Sequence, residues 1–257
     1  MTWKITHHEN ISCKQSILIE GLPGIGNVGK IVVDYLIDAY DAKKIASFHS
    51  YDLPNSVYVT SQGISLPLIE LYHVKIKRKN FLLLSGDAQP SLERSSYELT
   101  NELLTLAKKF SCKKIIALGG IGLMDIPKEP QLFVVGNDIN LIEDFSKHGV
   151  NKNAYGVIGP IVGVSGLLLG LSEQHQIPSV ALLGETYGHP IYIGLAEARQ
   201  MLAVLDKEFS LGVDFTDLDA EINSQEELSK EDELTASEHT TSFLRNKRKK
   251  SELNYIG

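Results

Sequence analysis

The chain has 257 residues, 43 % of them hydrophobic, and a formal net charge of −7, which leaves room for one large or two small domains with a sizeable core. The acidic balance argues against a general nucleic-acid binder, which needs a basic surface to neutralise phosphates. Two cysteines without metal-type spacing, Cys13 and Cys112, an opening (MTWKITHHEN) with no apolar signal-like region and no run of about 18 apolar residues together predict a soluble, cytoplasmic protein without disulfides.

Residues 1–16 form a polar lead-in that can supply an edge strand. His7 and His8 are adjacent, so a strand points them to opposite faces, and exposure explains them better than a metal pair. The stretch Ile17 to Lys30, ILIEGLPGIGNVGK, reads as a buried strand, a tight turn and a helix starting near Gly26. Gly24-Ile25-Gly26-Asn27-Val28-Gly29 matches G-x-G-x-x-G in a strand–turn–helix context, so a dinucleotide site is one reading. Gly24, Gly29 and Lys30 also satisfy most of a P-loop, but Ile31 stands where the magnesium-binding Ser or Thr belongs. The other reading is structural: Gly24, Gly26 and Gly29 let helix and strand pack closely. Residues 44–50 are the next strand, and Asp52 falls roughly where a dinucleotide fold places its ribose-binding acid. Leu53-Pro54-Asn55-Ser56 turns into a further strand, VYVTSQG. Strands at 68–76 and 81–84 follow across the polar turn 77–80. Three extended segments without intervening helices predict a mixed sheet, where a standard dinucleotide fold would have a helix.

After the loop 86–91, Ser91 is the expected N-cap of a helix over 92–110 with an apolar stripe of Leu99, Leu103, Leu106 and Phe110. Lys113 to Leu118 is a strand ending in Gly119-Gly120-Ile121-Gly122. Residues 131–135 are a short strand, and Asp138 caps a short helix over 138–147. Residues 153–170 repeat the opening grammar: a short strand, Gly159-Pro160, then a helix of small residues with Pro160 at its first position. Val180 to Leu183 is a central strand, and the helix over about 191–209 presents Leu195, Ala198, Leu202 and Leu205 on one face. Composition changes after Phe215. Residues 217–238 are rich in Asp, Glu, Ser and Thr, the mark of disorder or of a solvated helix. A basic block, 245–250, precedes the apolar ending Leu253 to Gly257.

Catalytic candidates are sparse. Gly163-Val164-Ser165-Gly166 resembles a nucleophile elbow, but Leu167 replaces its last glycine. Glu173 with His175, or Glu185 with His189, has the chemistry of an acid–base pair without a spacing that sets it apart. No H-E-x-x-H motif and no Cys/His cluster is present, so no metal is expected. Parallel strands would bring the loops at Gly86-Asp87, Gly119-Gly120 and Gly184-Glu185 to one edge, where α/β sheets bind ligands.

Taken in order, LIEGLPGIGNVGK, SYDLPNSVYV, FLLLSGDAQPS, IIALGGIG, GPIVGVSGLLLGL and ALLGETYG resemble successive motifs of the archaeal proteasome assembly chaperone family, over residues 15–210. The resemblance implies a three-layer α/β/α domain with a mixed central sheet, similar to the nucleoside-phosphorylase fold, with a flexible C-terminal tail. It implies a non-enzymatic cytoplasmic protein without cofactor that binds proteasome α subunits or the α ring, itself a homo-oligomer or paired with a paralogue, and that contacts neither nucleic acid nor membrane. The expected organisation is a globular domain over 1–215, a charged, disordered tether over 216–252 and a docking peptide over 253–257. Family members and ring-docking activators resemble one another in a hydrophobic-Tyr-any ending. Here Tyr255 is third from the end, displaced by one residue, with Ile256 as apolar contact and the Gly257 carboxylate as charged contact. The alternative is a nucleoside- or dinucleotide-binding enzyme that uses Gly24 to Gly29 and Asp52.

Overall fold

The computed structural model describes residues 2–9, 11, 13–60 and 63–231, with the side chains of 226–231 left aside. Its frame is an eight-stranded sheet in the order β1-β3-β6-β7-β2-β8-β10-β9. The strands are β1 (Lys4–His7), β2 (Ser16–Glu20), β3 (Lys43–His49), β6 (Ile69–Ile76), β7 (Lys79–Gly86), β8 (Lys114–Leu123), β9 (Leu132–Gly136) and β10 (Ser179–Tyr187). Two further short strands, β4 (Tyr58–Thr60) and β5 (Gly63–Ser65), pair with each other as a separate hairpin. β7, β2, β8 and β10 run parallel; β1, β3, β6 and β9 join by antiparallel pairings. The sheet is therefore mixed, as the run of helix-free segments predicts.

Alternation along the strands builds two cores. Ile17 and Ile19 of β2 face one side, with Phe81, Leu83, Ile116, Leu118, Val180 and Leu182, while Leu18 faces the other with Leu82, Leu84 and Ile115. Strands buried on both faces read as continuous apolar runs, which is why ILI and FLLL carry no polar partner positions. Helices α1 (Val28–Ala39), α3 (Ile139–Ser146) and α5 (Leu195–Phe209) cover the first face; α2 (Glu93–Lys109) and α4 (Val164–Gln174) cover the second. The result is a three-layer α/β/α domain. Asp138 caps α3 as expected, its carboxylate accepting from the Leu141 N–H at 2.8 Å.

Several local expectations are corrected. Ser91 is not the cap of α2: Leu92 occupies that position without a side-chain bond, and the Ser91 N–H donates to the Asp52 carbonyl at 2.9 Å. Pro160 does not open α4, which begins at Val164 after Gly163, and residues 155–158 form turns, not a strand. β8 and β10 run through their glycines, paired in register from Ser179 with Ile115 to Tyr187 with Leu123. Of residues 217–238, whose composition marks disorder or a solvated helix, those up to 231 lie in helix α6 (Thr216–Glu231). Its first turn buries Leu218 to 2 % exposure against the α1/α5 core, and Arg199 of α5 donates to Asp219 at 2.9 Å. Leu218 and the partly buried Ile222 dock this acidic helix on the core. Residues 232–252 and the docking peptide lie outside the described residues.

Candidate functional site

The parallel strands gather their carboxyl ends, and the connections that follow them, at one edge. The glycine turn is the most closely packed part of it. Gly26 has φ +61°, a conformation L side chains rarely adopt, and a Cβ there would lie 2.6 Å from Thr186 Oγ1. Gly29 faces β8: a Cβ would come within 2.8 Å of the Leu118 carbonyl carbon and nearer still to its oxygen. Gly24 differs, with open space around it. The glycine overhang of β8 serves the same approach, since a Cβ on Gly120 would sit 3.1 Å from the Ile25 carbonyl carbon. The turn between β2 and α1 thus lies directly on the backbone of β8 and on the Thr186 side chain of β10.

The loop after β10 closes on this turn: the Gly194 N–H donates to the Gly26 carbonyl at 2.8 Å. Lys30 is buried and paired with Asp34 at 2.7 Å, and Asp34 also accepts the Ser85 hydroxyl, so the P-loop lysine is committed within its own helix. Ile31 belongs to the core. Asp52 follows β3, which β6 and β7 separate from β2; three strand spacings put it about 14 Å along the edge from the glycine turn. A dinucleotide fold needs acid and turn on adjacent strands. The sequence motif is present, but its two halves are not brought together.

Sequence reasoning misses the titratable centre of this edge. Glu20, the last residue of β2, has 0 % exposure. Its Oε1 accepts the Leu22 N–H at 3.0 Å, and Oε2 has no partner among the described residues. Burial pushes its pKa up from 4.5 to about 7; the Leu22 N–H and the nearby Ser165 hydroxyl oppose that shift. Beside the turn, Thr186 Oγ1 and Glu197 Oε2 are also buried without a partner among the described residues. Tyr192 donates to Glu197 Oε1 at 3.2 Å, and burial followed by that carboxylate raises the phenol's pKa. The signal available was Glu20 itself, a lone acid ending the apolar run ILIE.

Ser165, the elbow candidate, is thereby brought near Glu20, but it sits inside α4 and is itself buried. Both groups are buried in this conformation. Glu173 and His175 flank the end of α4, where His175 Nδ1 is buried without a described partner. Glu185 accepts the Gln131 N–H at 3.0 Å, while His189 stacks on Tyr187 at 5.7 Å. His8 pairs with Ser47 at 2.8 Å. Among the described residues no group of three or more His, Cys, Asp or Glu could hold a metal, and no helix is long and apolar enough to cross a membrane. Cys13 and Cys112 are free thiols whose pKa values burial raises. Tyr255, Ile256 and Gly257 lie outside the described residues.

The model of the PAC2 family matches residues 18–231. The crystal structure of PbaB from Pyrococcus furiosus, described as an archaeal proteasome activator, aligns with a TM-score of 0.81 at 30 % identity, covering 91 % of this chain and 100 % of that one. PbaA of the same organism, described as an archaeal homolog of proteasome-assembly chaperone, aligns at 0.75 with 24 % identity over 90 % of this chain and 91 % of its own, a likeness of fold. An uncharacterized protein of Methanocaldococcus jannaschii, MJ0106, is 29 % identical over 231 residues, 89 % of this chain and 90 % of its own.

Proposed function

We propose, since this chain belongs to the PAC2 family, that it is a non-enzymatic chaperone or adaptor of the core proteasome, binding α subunits or the α ring partly through its C-terminal residues. The observation that carries this reading is the likeness to the proteasome activator PbaB over the whole of that chain. The closed packing of the glycine turn, with Lys30 tied to Asp34, is consistent with a scaffold better than with a nucleotide enzyme. In the docking step Tyr255 is the aromatic anchor, Ile256 the apolar contact and the Gly257 carboxylate the charged contact in a pocket between adjacent α subunits. Capture of a terminal carboxylate is a recurring mode of peptide recognition. Several tails on one oligomer raise the effective concentration of each, so weak individual docking suffices.

Native mass spectrometry with cognate α subunits, comparing the full chain with one ending at Leu253, tests the proposal. A complex that weakens on truncation supports tail docking. Binding unchanged by truncation moves the contact to the domain and overturns the assignment of Tyr255 to Gly257. No complex with α subunits or rings overturns the proteasome reading.

A further inference from the structure

The amino ends of the parallel strands form the edge opposite the glycine turn, and cations crowd it. Alternation sorts them between the two faces of the sheet. On the face that α5 covers, each meets a partner. Lys44 pairs with Glu70 at 2.6 Å, and Lys114 lies 3.7 Å from Glu208. Lys77 and Lys79 donate to the Ser210 and Phe209 carbonyls at the end of α5.

The second face differs. Lys43 of β3 stands directly opposite His73, and Lys75 of β6 directly opposite Asn80, while the His73 ring lies 3.1 Å from the Asn80 amide oxygen. These side chains therefore share the face of Leu71 and Leu82. The ladder continues across β2. Asn80 is opposite Ser16, its Nδ2 donates to the Lys14 carbonyl at 3.1 Å, and the Ser16 carbonyl accepts the Lys113 N–H at 2.8 Å. Lys113, two residues before Ile115, belongs to the same face. α2 ends on this corner, where the Ser16 hydroxyl donates to the Phe110 carbonyl, and it adds Lys108 and Lys109.

Lys14, Lys43, Lys75, Lys108, Lys109 and Lys113 are all exposed, and none forms an ion pair among the described residues. Glu9 lines a small cleft with Lys109, and Asp41 precedes Lys43 by two residues; neither is paired with a lysine. Lys108 and Lys109 complement the carbonyl end of α2. The other four have no such task, and like charges held together without counter-charge repel one another. From β3 to β8 their row crosses four strand spacings, about 19 Å.

We infer that this ledge is a docking surface for an acidic polypeptide segment. Spacing and surroundings select that occupant. Lys43 and Lys75 are diagonal neighbours, about 7–8 Å apart, and successive side chains on one face of an extended acidic strand are about 7 Å apart. Single-stranded nucleic acid needs aromatic rings on which to stack its bases, and Phe110, the ring bordering the ledge, is buried. A long polyanion also meets repulsion from the rest of a chain that carries −7, whereas a short acidic segment meets only the ledge. This inference goes beyond the proteasome reading and does not depend on it.

The test is fluorescence anisotropy of the full chain, with no proteasome component present, against a short labelled peptide of alternating Glu and Ser. The native chain binds it and does not bind the same peptide with Gln for Glu. Lys43→Ser/Lys75→Ser/Lys113→Ser weakens binding at least about tenfold, with melting no lower than that of the native chain because the three side chains are exposed. Lys43→Arg/Lys75→Arg/Lys113→Arg, which keeps the charge, binds like the native chain. The basic block 245–250 is an internal competitor, so Lys247→Ser/Arg248→Ser/Lys249→Ser is the control and retains binding. No binding of the acidic peptide, or binding lost in the control and kept in the triple serine variant, overturns the inference. An oligothymidylate held more tightly than the peptide by the same three lysines overturns it in favour of a nucleic acid.

Discussion

Gly29→Ala is the sharpest perturbation of the glycine turn. Two effects compete. Alanine is the better helix former, worth about 1 kcal/mol over glycine. Against this, the new Cβ meets the Leu118 carbonyl group, with the carbonyl carbon 2.8 Å away and Leu118 Cβ at 2.9 Å. Leu118 cannot yield, because β8 is paired with β2 on one side and with β10 on the other. Overpacking of this kind costs about 1–3 kcal/mol and more where the obstacle is backbone. The steric cost wins, and we expect a net loss of about 2 kcal/mol, or a melting temperature lower by roughly 4–8 °C for a domain of this size. Gly24→Ala is the control: Gly24 has open space, and the change should stay within about 0.5 kcal/mol. Urea and thermal unfolding of the two variants, without any ligand, measure both. A Gly29→Ala chain as stable as the native one, or more so, refutes the view that close helix–strand approach is what the glycine provides.

Glu20 makes stability depend on pH with a definite sign. Its folded pKa of about 7 lies above the unfolded value near 4.5, so the folded state holds the extra proton between them and stability falls as pH rises through that window, by up to about 3 kcal/mol. Glu20→Gln should lose that slope between pH 4.5 and 8 in urea titrations; an unaltered slope would sink the assignment. Leu218→Ala should destabilise the domain by about 2 kcal/mol and speed proteolytic cutting within α6, because the side chain is buried in the α1/α5 core; unchanged melting and cutting would return residues 216–231 to the tether. Appending one residue after Gly257 should weaken α-ring binding at least about tenfold by moving the carboxylate, and undiminished binding measured by native mass spectrometry would count against it.

Most of the frame was legible because burial on both faces leaves a plain trace. ILI, FLLL and VALL mark the parallel strands, and helix α5 shows its stripe of Leu195, Ala198, Leu202 and Leu205, all buried. Boundaries at glycines were not legible. Gly119, Gly120 and Gly184 look like strand ends, yet they continue β8 and β10, because here glycine marks close approach within the sheet layers: Gly120 meets the Ile25 backbone, Gly119 the Leu183 side chain and Gly184 those of Leu132 and Met201. The dinucleotide motif misleads for a related reason: Gly26 and Gly29 satisfy the pattern through their packing on Thr186 and Leu118. Strand order decided against it, and order is not written in local residues. Glu20 escaped notice because one acid at a strand end is locally ordinary; its burial, with Ser165 of α4 nearby, comes from the tertiary packing. Leu218 escaped because an acidic segment with few apolar anchors has the same composition docked or free.

The place of β2 in the sheet has a consequence for how the chain is made. It is the second strand synthesised, yet it lies between β7 and β8, which are translated some tens of residues later. Until residue 86 has emerged, its five buried residues have no neighbour on either side, and until residue 123 they remain an open edge. Long-range pairing of this kind slows folding, and an unpaired apolar strand on a nascent chain invites addition of foreign strands. By this topology the chain is vulnerable while it is being synthesised. Polypeptides interrupted between β7 and β8 should be the aggregation-prone fragments of this gene product.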